Sequence, residues 1–320
     1  VPSQADPDGA FPTVRHPNPE EGEAMERVLA LAKETGAELV LANDPDADRL
    51  AAAVPDPGTG RHRMLSGNEI GVLLADDAME HAEAGGRRKL VVTTIVSSGL
   101  LKRMARDRDV SCRETLTGFK WIARAALEGE AEGMAFVFGY EEALGYTMGS
   151  LVRDKDGIGA ALRLAELARF LKGRGQTLAD RMDELALAHG LLHPVQWSVS
   201  LPGPEGRERI RKAMESLRSR PIERVGASKV VRMLDAAAGA ETIEGEQREI
   251  ALPRSDLVAF EARDGARLTA RPSGTESRIK FYLELVGEAQ TTAEVSLARA
   301  RLEAEGQAFR RTLLERLGLG

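Results

Sequence analysis

The segment Asn43-Asp44-Pro45-Asp46-Ala47-Asp48-Arg49 sets three carboxylates at alternate positions directly after an apolar run. Carboxylate oxygens are hard ligands, and Mg2+ is the ordinary intracellular cation for such a set. Alternate residues of a straight strand lie ~6.6 Å apart, too far for all three to reach one small ion. The segment must therefore curl, and Pro45 prevents simple continuation of the strand. A calcium EF-hand does not fit, because it requires glycine where Arg49 stands and glutamate where Pro55 stands. A solvated acidic turn is the plain alternative.

A second segment, Arg271-Pro272-Ser273-Gly274-Thr275-Glu276, joins an anion-gripping guanidinium to two hydroxyls around a glycine that admits close backbone approach. Within residues 261–280 the bases Arg263, Arg267, Arg271, Arg278 and Lys280 outnumber the acids Glu261, Asp264 and Glu276. That local excess suits an anion site; an ordinary Pro-Ser-Gly turn is the alternative. A third segment, residues 138–146, sets Glu141 and Glu142 between glycines, where carboxylates can accept hydrogen bonds from vicinal sugar hydroxyls. Residues 115–120 (Thr-Leu-Thr-Gly-Phe-Lys) and 153–157 (Arg-Asp-Lys-Asp-Gly) carry weaker signals, and a helix cap at Asp156 accounts for much of the latter.

The elements expected to hold these segments alternate through the first half. Asn18-Pro19-Glu20-Glu21 reads as a helix start, with Met25, Val28, Leu29 and Ala32 on one face and Gly36 as the stop. Strands are predicted over residues 38–42 and 50–54, with a turn at 55–58. Ser66 caps a helix, a strand covers 90–95, a helix runs through Leu101 and Met104, and another covers 119–127. A strand over 134–138 and a helix over 158–171 follow. This pattern predicts α/β layers, with the acidic loop at the carboxyl end of a strand, the usual ligand crevice of open α/β sheets. Beyond about residue 190, strands over 195–200, 257–262, 266–270 and 279–286, the Asp264-Gly265 hairpin signal and helices over 205–217 and 291–317 suggest an α+β module.

Composition excludes several classes. The 320 residues carry 44 Lys+Arg against 50 Asp+Glu, a net charge of -6 that argues against a dedicated nucleic-acid binder. No segment reaches the run of about 18 apolar residues that a membrane span needs. A single cysteine, Cys112, rules out an internal disulfide framework and suits a reducing compartment, so a cytoplasmic location is expected. Cys112 itself reads as a small buried residue. The chain opens with Val1 and no signal-peptide pattern, so it is expected to start at a processing site or inside a longer protein.

Taken together and in order, these segments resemble the α-D-phosphohexomutase family of phosphoglucomutases and phosphomannomutases. The resemblance implies an α/β fold of a partial and a complete mixed-sheet domain, followed by an α+β domain similar to the TATA-binding protein. Its implied boundaries are the end of domain 2 at 1–65, domain 3 at 66–190 and domain 4 at 191–320. It implies Mg2+ on Asp44, Asp46 and Asp48, and sugar-reading loops at Thr117, Gly118, Phe119, Lys120 and Glu141. A phosphate grip at Arg271, Ser273, Gly274 and Thr275 is implied too, with Arg49 and Lys155 near the reacting oxygen. The implied reaction interconverts hexose 1-phosphate and hexose 6-phosphate through a phosphoserine and a bisphosphate intermediate, with glucose phosphates as the expected substrate.

The sequence also departs from the family pattern. Ala143 stands where many glucomutases carry serine, and the Tyr-Glu-Glu-Ala form resembles the phosphoglucomutase/phosphopentomutase branch. Ser277 stands where proline is common. None of His16, His62, His81, His189 and His193 follows a serine, so the Ser-His-Asn-Pro motif of the family's N-terminal domain has no counterpart here. The chain is accordingly expected to be a fragment inactive alone, its N-terminal domain being the missing partner. Phosphomannomutase or phosphopentomutase activity, a non-catalytic phosphosugar-binding protein, and a Mg2+-dependent phosphatase using Asp44 are the other readings. Against the last, Asp48 stands where such phosphatases carry threonine.

Overall fold

The computed structural model describes residues 1–56, 58–274 and 276–320, and by its internal contacts the chain divides into residues 1–184 and 185–320. The first unit opens with α1 (Gly22–Thr35), β1 (Val40–Asn43), β2 (Leu50–Asp56) and β3 (Arg61–Leu65). Helix α1 starts later than the Asn18-Pro19 signal suggests. Asn18 spends its side chain on a local turn, with Oδ1 accepting the Glu20 N–H, so Glu21 becomes the cap. Gly36 ends the helix in the left-handed conformation, as expected (φ +68°). The expected turn at 55–58 lies further on. Strand β2 runs through Asp56, whose carboxylate accepts from the Gly58 N–H and the Thr59 hydroxyl. Strands β1, β2 and β3 form an antiparallel sheet, and residues 50–54 are all buried.

There follow α2 (Gly67–His81), β4 (Lys89–Thr94), α3 (Leu100–Asp107), β5 (Ser111–Thr115), α4 (Phe119–Ala131), β6 (Ala135–Glu141), β7 (Gly145–Met148), α5 (Gly157–Gly173) and α6 (Leu178–His189). Ser66 and Glu69 form a reciprocal capping box at the start of α2. The second sheet has the order β5-β4-β6-β7, parallel except for the β6–β7 hairpin. Strand β5 has the sequence Ser-Cys-Arg-Glu-Thr and no apolar run, which is why hydrophobicity alone does not reveal it. Successive residues of β6 show that the sheet is covered on both faces. A Cβ on Gly139 would meet Ile122 of α4, while Tyr140 lies against Gly71 of α2. Helix α2 is therefore buried nearly all round, with Ile70, Leu73 and Leu74 fully inaccessible.

Two arginines tie this scaffold together. Asp76 of α2, only 3% exposed, receives Arg108 from the end of α3 and a bidentate pair from Arg181 of α6 at 2.8 and 3.1 Å. Cys112 on β5 is half-buried, and desolvation of its thiol pushes the pKa up to about 12, disfavouring the thiolate at neutral pH.

The second unit contains β8 (Leu191–Ser200), α7 (Gly203–Ser219), β9 (Arg224–Val225), β10 (Ser228–Asp235), β11 (Ala240–Ile243) and β12 (Glu246–Glu249). It closes with β13 (Val258–Ala262), β14 (Arg267–Pro272), β15 (Arg278–Gly287) and α8 (Thr292–Leu317). Its antiparallel sheet runs β12-β11-β10-β13-β14-β15-β8, with β9 paired to β10, and α7 and α8 pack against it. Strands β10 to β12 go beyond the sequence expectation; β12 (Glu-Gln-Arg-Glu) is exposed at every position and offers no hydrophobic signal. Gly265 turns the expected β13–β14 hairpin at φ +93°. Buried Phe260, Leu268, Phe281, Leu283 and Val295 lie in its core. Among the described residues no helix is long and apolar enough to cross a membrane. The architecture is mixed α/β followed by α+β.

Candidate active site

The acidic loop leaves the end of β1 and curls as its spacing demands. The Ala47 N–H reaches back to the Asp44 carbonyl at 3.0 Å, and Ala47 turns the chain at φ +56°. Asn43 Nδ2 donates to the Arg49 carbonyl at 2.6 Å, closing the loop at its base. Asp44, Asp46 and Asp48 each bring a carboxylate oxygen within 4.8 Å of the others. Octahedral Mg2+ with bonds of about 2.1 Å keeps its oxygens roughly 3 to 4 Å apart, so modest side-chain rotations would let this donor set fit the ion. The electrostatics agree: burial, together with the charges of Asp48 and Asp46, raises the Asp44 pKa despite the Arg49 N–H that its Oδ1 accepts. Such mutual repulsion is what a cation relieves.

Two bases face this loop. Arg49 Nε lies 3.9 Å from both Asp44 and Asp48, is buried, and has no hydrogen-bond acceptor among the described residues. Lys155 Nζ donates to Asp48 Oδ2 at 2.7 Å and Asp154 Oδ1 at 3.1 Å, and sits 5.6 Å above the Phe119 ring. Burial works against the Lys155 charge, but these hydrogen bonds more than offset it and hold the pKa above its usual range. The lysine is placed by the cap of α5, where Asp156 accepts the Gly159 N–H at 2.8 Å.

The expected sugar-reading loops meet. Glu141 ends β6, Gly118 precedes α4, and the Glu141 carboxylate accepts the Gly118 N–H. Burial raises the Glu141 pKa, and the charges of Lys155 and Arg49 oppose that rise. Gly118 takes φ +110°, a conformation open to glycine and strained for other residues. Phe119 is only 5% exposed and belongs to the core under α4, while Lys120 is exposed with Nζ over Trp121. Thr117 lies at the rim of the same loop, half-buried. Residues 1–184 thus gather the three aspartates, Arg49, Lys155, Gly118 and Glu141.

The expected phosphate loop lies in the second unit, between β14 and β15. Arg271 pairs across the strands with Lys280, setting two cations side by side. Below them the loop is narrowed by the Ser273 N–H donating to the Arg278 carbonyl at 2.8 Å and by Ser273 Oγ accepting the Glu276 N–H at 3.2 Å. Ser277 Oγ donates to the Leu201 carbonyl, a role for this departure from the family pattern. Gly274 is exposed, and a Cβ there would meet nothing within 4 Å. Thr275 lies outside the described residues.

Sequence reasoning included Gly145 and Gly157 in its segments but assigned them no packing role, and the first cluster rests on them. A Cβ on Gly157 would lie 2.3 Å from the Arg49 carbonyl and 2.6 Å from Asn43 Nδ2; one on Gly145 would lie 2.6 Å from the Lys155 side chain. Their signal in the chain was only their place in the same short segments as Lys155 and Glu141. Gly145 also bridges to Arg49, and the Leu50 N–H reaches the Leu144 carbonyl at 3.1 Å, so the acidic loop and the β6–β7 hairpin share backbone contacts.

The chain is similar to known proteins along most of its length. Family models described as phosphoglucomutase/phosphomannomutase α/β/α domain II, α/β/α domain III and C-terminal domain match residues 1–58, 66–187 and 222–302. A "Probable phosphomannomutase" of Haemophilus influenzae is 40% identical over 299 residues, covering 93% of this chain and 56% of that protein. A human phosphopentomutase is 35% identical over 300 residues, covering 89% of this chain and 48% of its own length. The open form of Paramecium pp63/parafusin, a phosphoglucomutase, shares the fold with a TM-score of 0.64 at 20% identity, over 95% of this chain and 50% of that one. The chain spans about half the length of the relatives it matches. Three domains of one family, in order and covering most of its residues, carry one conclusion: this chain belongs to the phosphoglucomutase/phosphomannomutase family, the α-D-phosphohexomutases.

Proposed function

We propose that these residues form the metal-binding, sugar-reading and phosphate-gripping parts of a mutase that interconverts hexose 1-phosphate and hexose 6-phosphate. The observation that carries this reading is the convergence of Asp44, Asp46 and Asp48 with Lys155 and Glu141. Mg2+ held by the three carboxylates would supply positive charge to the phosphoryl oxygens in transfer. Lys155, charged throughout the neutral range, would add a mobile cation beside them and donate to the reacting oxygen. Glu141, kept between Gly118 and two cations, would accept hydrogen bonds from sugar hydroxyls. Arg271, Ser273, Gly274 and Thr275 would grip the phosphate that is not reacting and turn its binding energy into alignment. One set of loops must read the sugar in two orientations, because the two phosphate positions exchange within a bisphosphate intermediate.

Glucose phosphate is the proposed substrate, on the strength of the Tyr140-Glu141-Glu142-Ala143 form. The relatives' names span mannose, pentose and glucose, so the sugar is the finer part of the proposal. The family's serine motif has no counterpart among these residues, so the 320-residue chain alone should show negligible turnover of glucose 1-phosphate. Binding is the direct test. Calorimetry should show Mg2+ uptake that Asp46→Asn abolishes, and Mg2+-dependent uptake of glucose 1,6-bisphosphate that Arg271→Ala weakens at least tenfold. Unchanged bisphosphate binding by Arg271→Ala would remove the phosphate-loop assignment, and unchanged Mg2+ binding by Asp46→Asn would remove the metal site.

A further inference from the structure

Glu141 and Glu142 are neighbours in sequence with opposite surroundings. Glu141 looks toward Gly118 and the cations. Glu142 turns the other way, and its Oε2 accepts from the hydroxyls of Thr94 at 3.3 Å and Ser97 at 3.4 Å. Both hydroxyls are at most 1% exposed and sit at the carboxyl end of β4, the central strand of the parallel run. They also contact each other at 2.8 Å, so two hydroxyl protons serve three oxygen–oxygen contacts. With either hydroxyl donating to the other, the remaining proton goes to Glu142 Oε2, so the carboxylate accepts from this pair in both arrangements.

The backbone of Glu142 is fixed as firmly. Its carbonyl lies where a Cβ on Gly67 would be, at 1.9 Å, so the hairpin loop rests directly on the first turn of α2. One turn later Gly71 admits the ring of Tyr140, whose hydroxyl donates to Asn68 Oδ1 at 3.2 Å. Two residues after Glu142, Leu144 is held at φ +62°, a left-handed conformation that a leucine adopts only where its surroundings enforce it. A loop under that strain needs an anchor.

We propose that Glu142 is a positioning residue: its inward carboxylate, held by Thr94 and Ser97, clamps the hairpin so that Glu141 is presented outward. The inference rests on the reading of Glu141 as the sugar contact. Glu141 ends β6 and Glu142 opens the three-residue turn that follows, so holding the Glu142 carboxylate on the core fixes the strand end from which Glu141 projects. A sugar hydroxyl bonded by a misaligned carboxylate loses most of its angular preference, and a charged hydrogen bond is worth about tenfold or more in affinity.

The test is a double-mutant cycle read by calorimetry with glucose 1,6-bisphosphate and Mg2+ on the full 320-residue chain. Glu141→Ala should weaken binding about tenfold, and Glu142→Ala about fivefold. Glu142→Gln, which keeps an acceptor oxygen for Thr94 and Ser97, should return to within about twofold of the parent. In the Glu141→Ala background, Glu142→Ala should cost less than about twofold, because the group it positions is gone. If Glu142→Ala does not fold, Thr94→Val and Ser97→Ala remove the clamp one hydroxyl at a time and should reproduce the same loss and the same non-additivity. Full additivity of the two glutamate substitutions, or no rescue by glutamine, would overturn the clamp while leaving Glu141 as the sugar contact. No effect of Glu141→Ala would instead remove the sugar-loop reading, and this inference with it.

Discussion

The acidic cluster of residues 1–184 and the proposed phosphate loop of residues 185–320 achieve order by opposite means. The first is packed from behind. Gly157 and Gly145 sit where any side chain would strike the Arg49 carbonyl or Lys155, and Asn43, Gly118 and Asp156 close the remaining backbone groups. The second is a short connection between β14 and β15 closed by Ser273, and its Gly274 faces open space. In the first, glycine is required by the protein's own packing. In the second, no described residue lies within 4 Å of a Cβ at Gly274, and the approach of a ligand is the physical reason proposed for the glycine. Like charges held together in the acidic loop need a rigid frame, whereas an arginine fork can adapt to a phosphate.

The contrast can be broken at graded points. The largest effect is expected at the frame of the first unit. Asp76→Ala leaves Arg108 and Arg181 without their shared carboxylate; because both arginines are partly exposed, a loss of about 3 kcal/mol is expected in urea unfolding. A loss under 1 kcal/mol would mean that the frame does not depend on this pair. Next, Gly157→Ala should cost about 1–3 kcal/mol through overpacking and weaken Mg2+ binding at least tenfold, since the displaced atoms belong to Asn43 and Arg49. Wild-type Mg2+ affinity in that variant would show that the loop does not need its support.

A subtler effect has the opposite sign. Burial raises the Glu141 pKa above the ordinary 4.5, so the native state takes up its proton more readily than the unfolded chain. Stability attributable to Glu141 is therefore lost as pH rises from 4.5 through the raised native value. Glu141→Gln should be more stable than the parent at neutral pH, with the difference vanishing toward pH 4, while losing bisphosphate affinity. A melting temperature that falls at pH 7 would contradict this. The smallest effect is expected in the second unit. Gly274→Ala should change stability by no more than about 0.5 kcal/mol, because the new methyl meets none of the described residues within 4 Å. It should still weaken bisphosphate binding; if stability falls by more than 1 kcal/mol, the two regions are not built as differently as the contacts imply.

Much of this was legible in the chain. The curl of the acidic loop followed from carboxylates at period two with a proline among them. Ser66, Asp156 and Thr291 mark helix starts that the structure has, because a side chain that bonds the first turn acts within four residues. The same local rule misplaced the start of α1, where Asn18 satisfies a nearer turn. Strands β5 and β12 escaped notice because their residues are polar or exposed, and pairing, not hydrophobicity, makes them strands.

Residue types and short spacings therefore determined which segments could hold a cation, accept a sugar hydroxyl or grip an anion, since those capacities belong to single side chains and turns. Their assembly belongs to the tertiary structure alone. Asp48 and Lys155 are far apart in sequence yet 2.7 Å apart in space, and Gly118 lies on Glu141 across a different pair of elements. Which of two adjacent glutamates faces the site is likewise decided by Thr94, Ser97 and Gly67, none of them near it in the chain. Such contacts depend on how the sheet and α2 pack, and a one-dimensional pattern does not encode that distance.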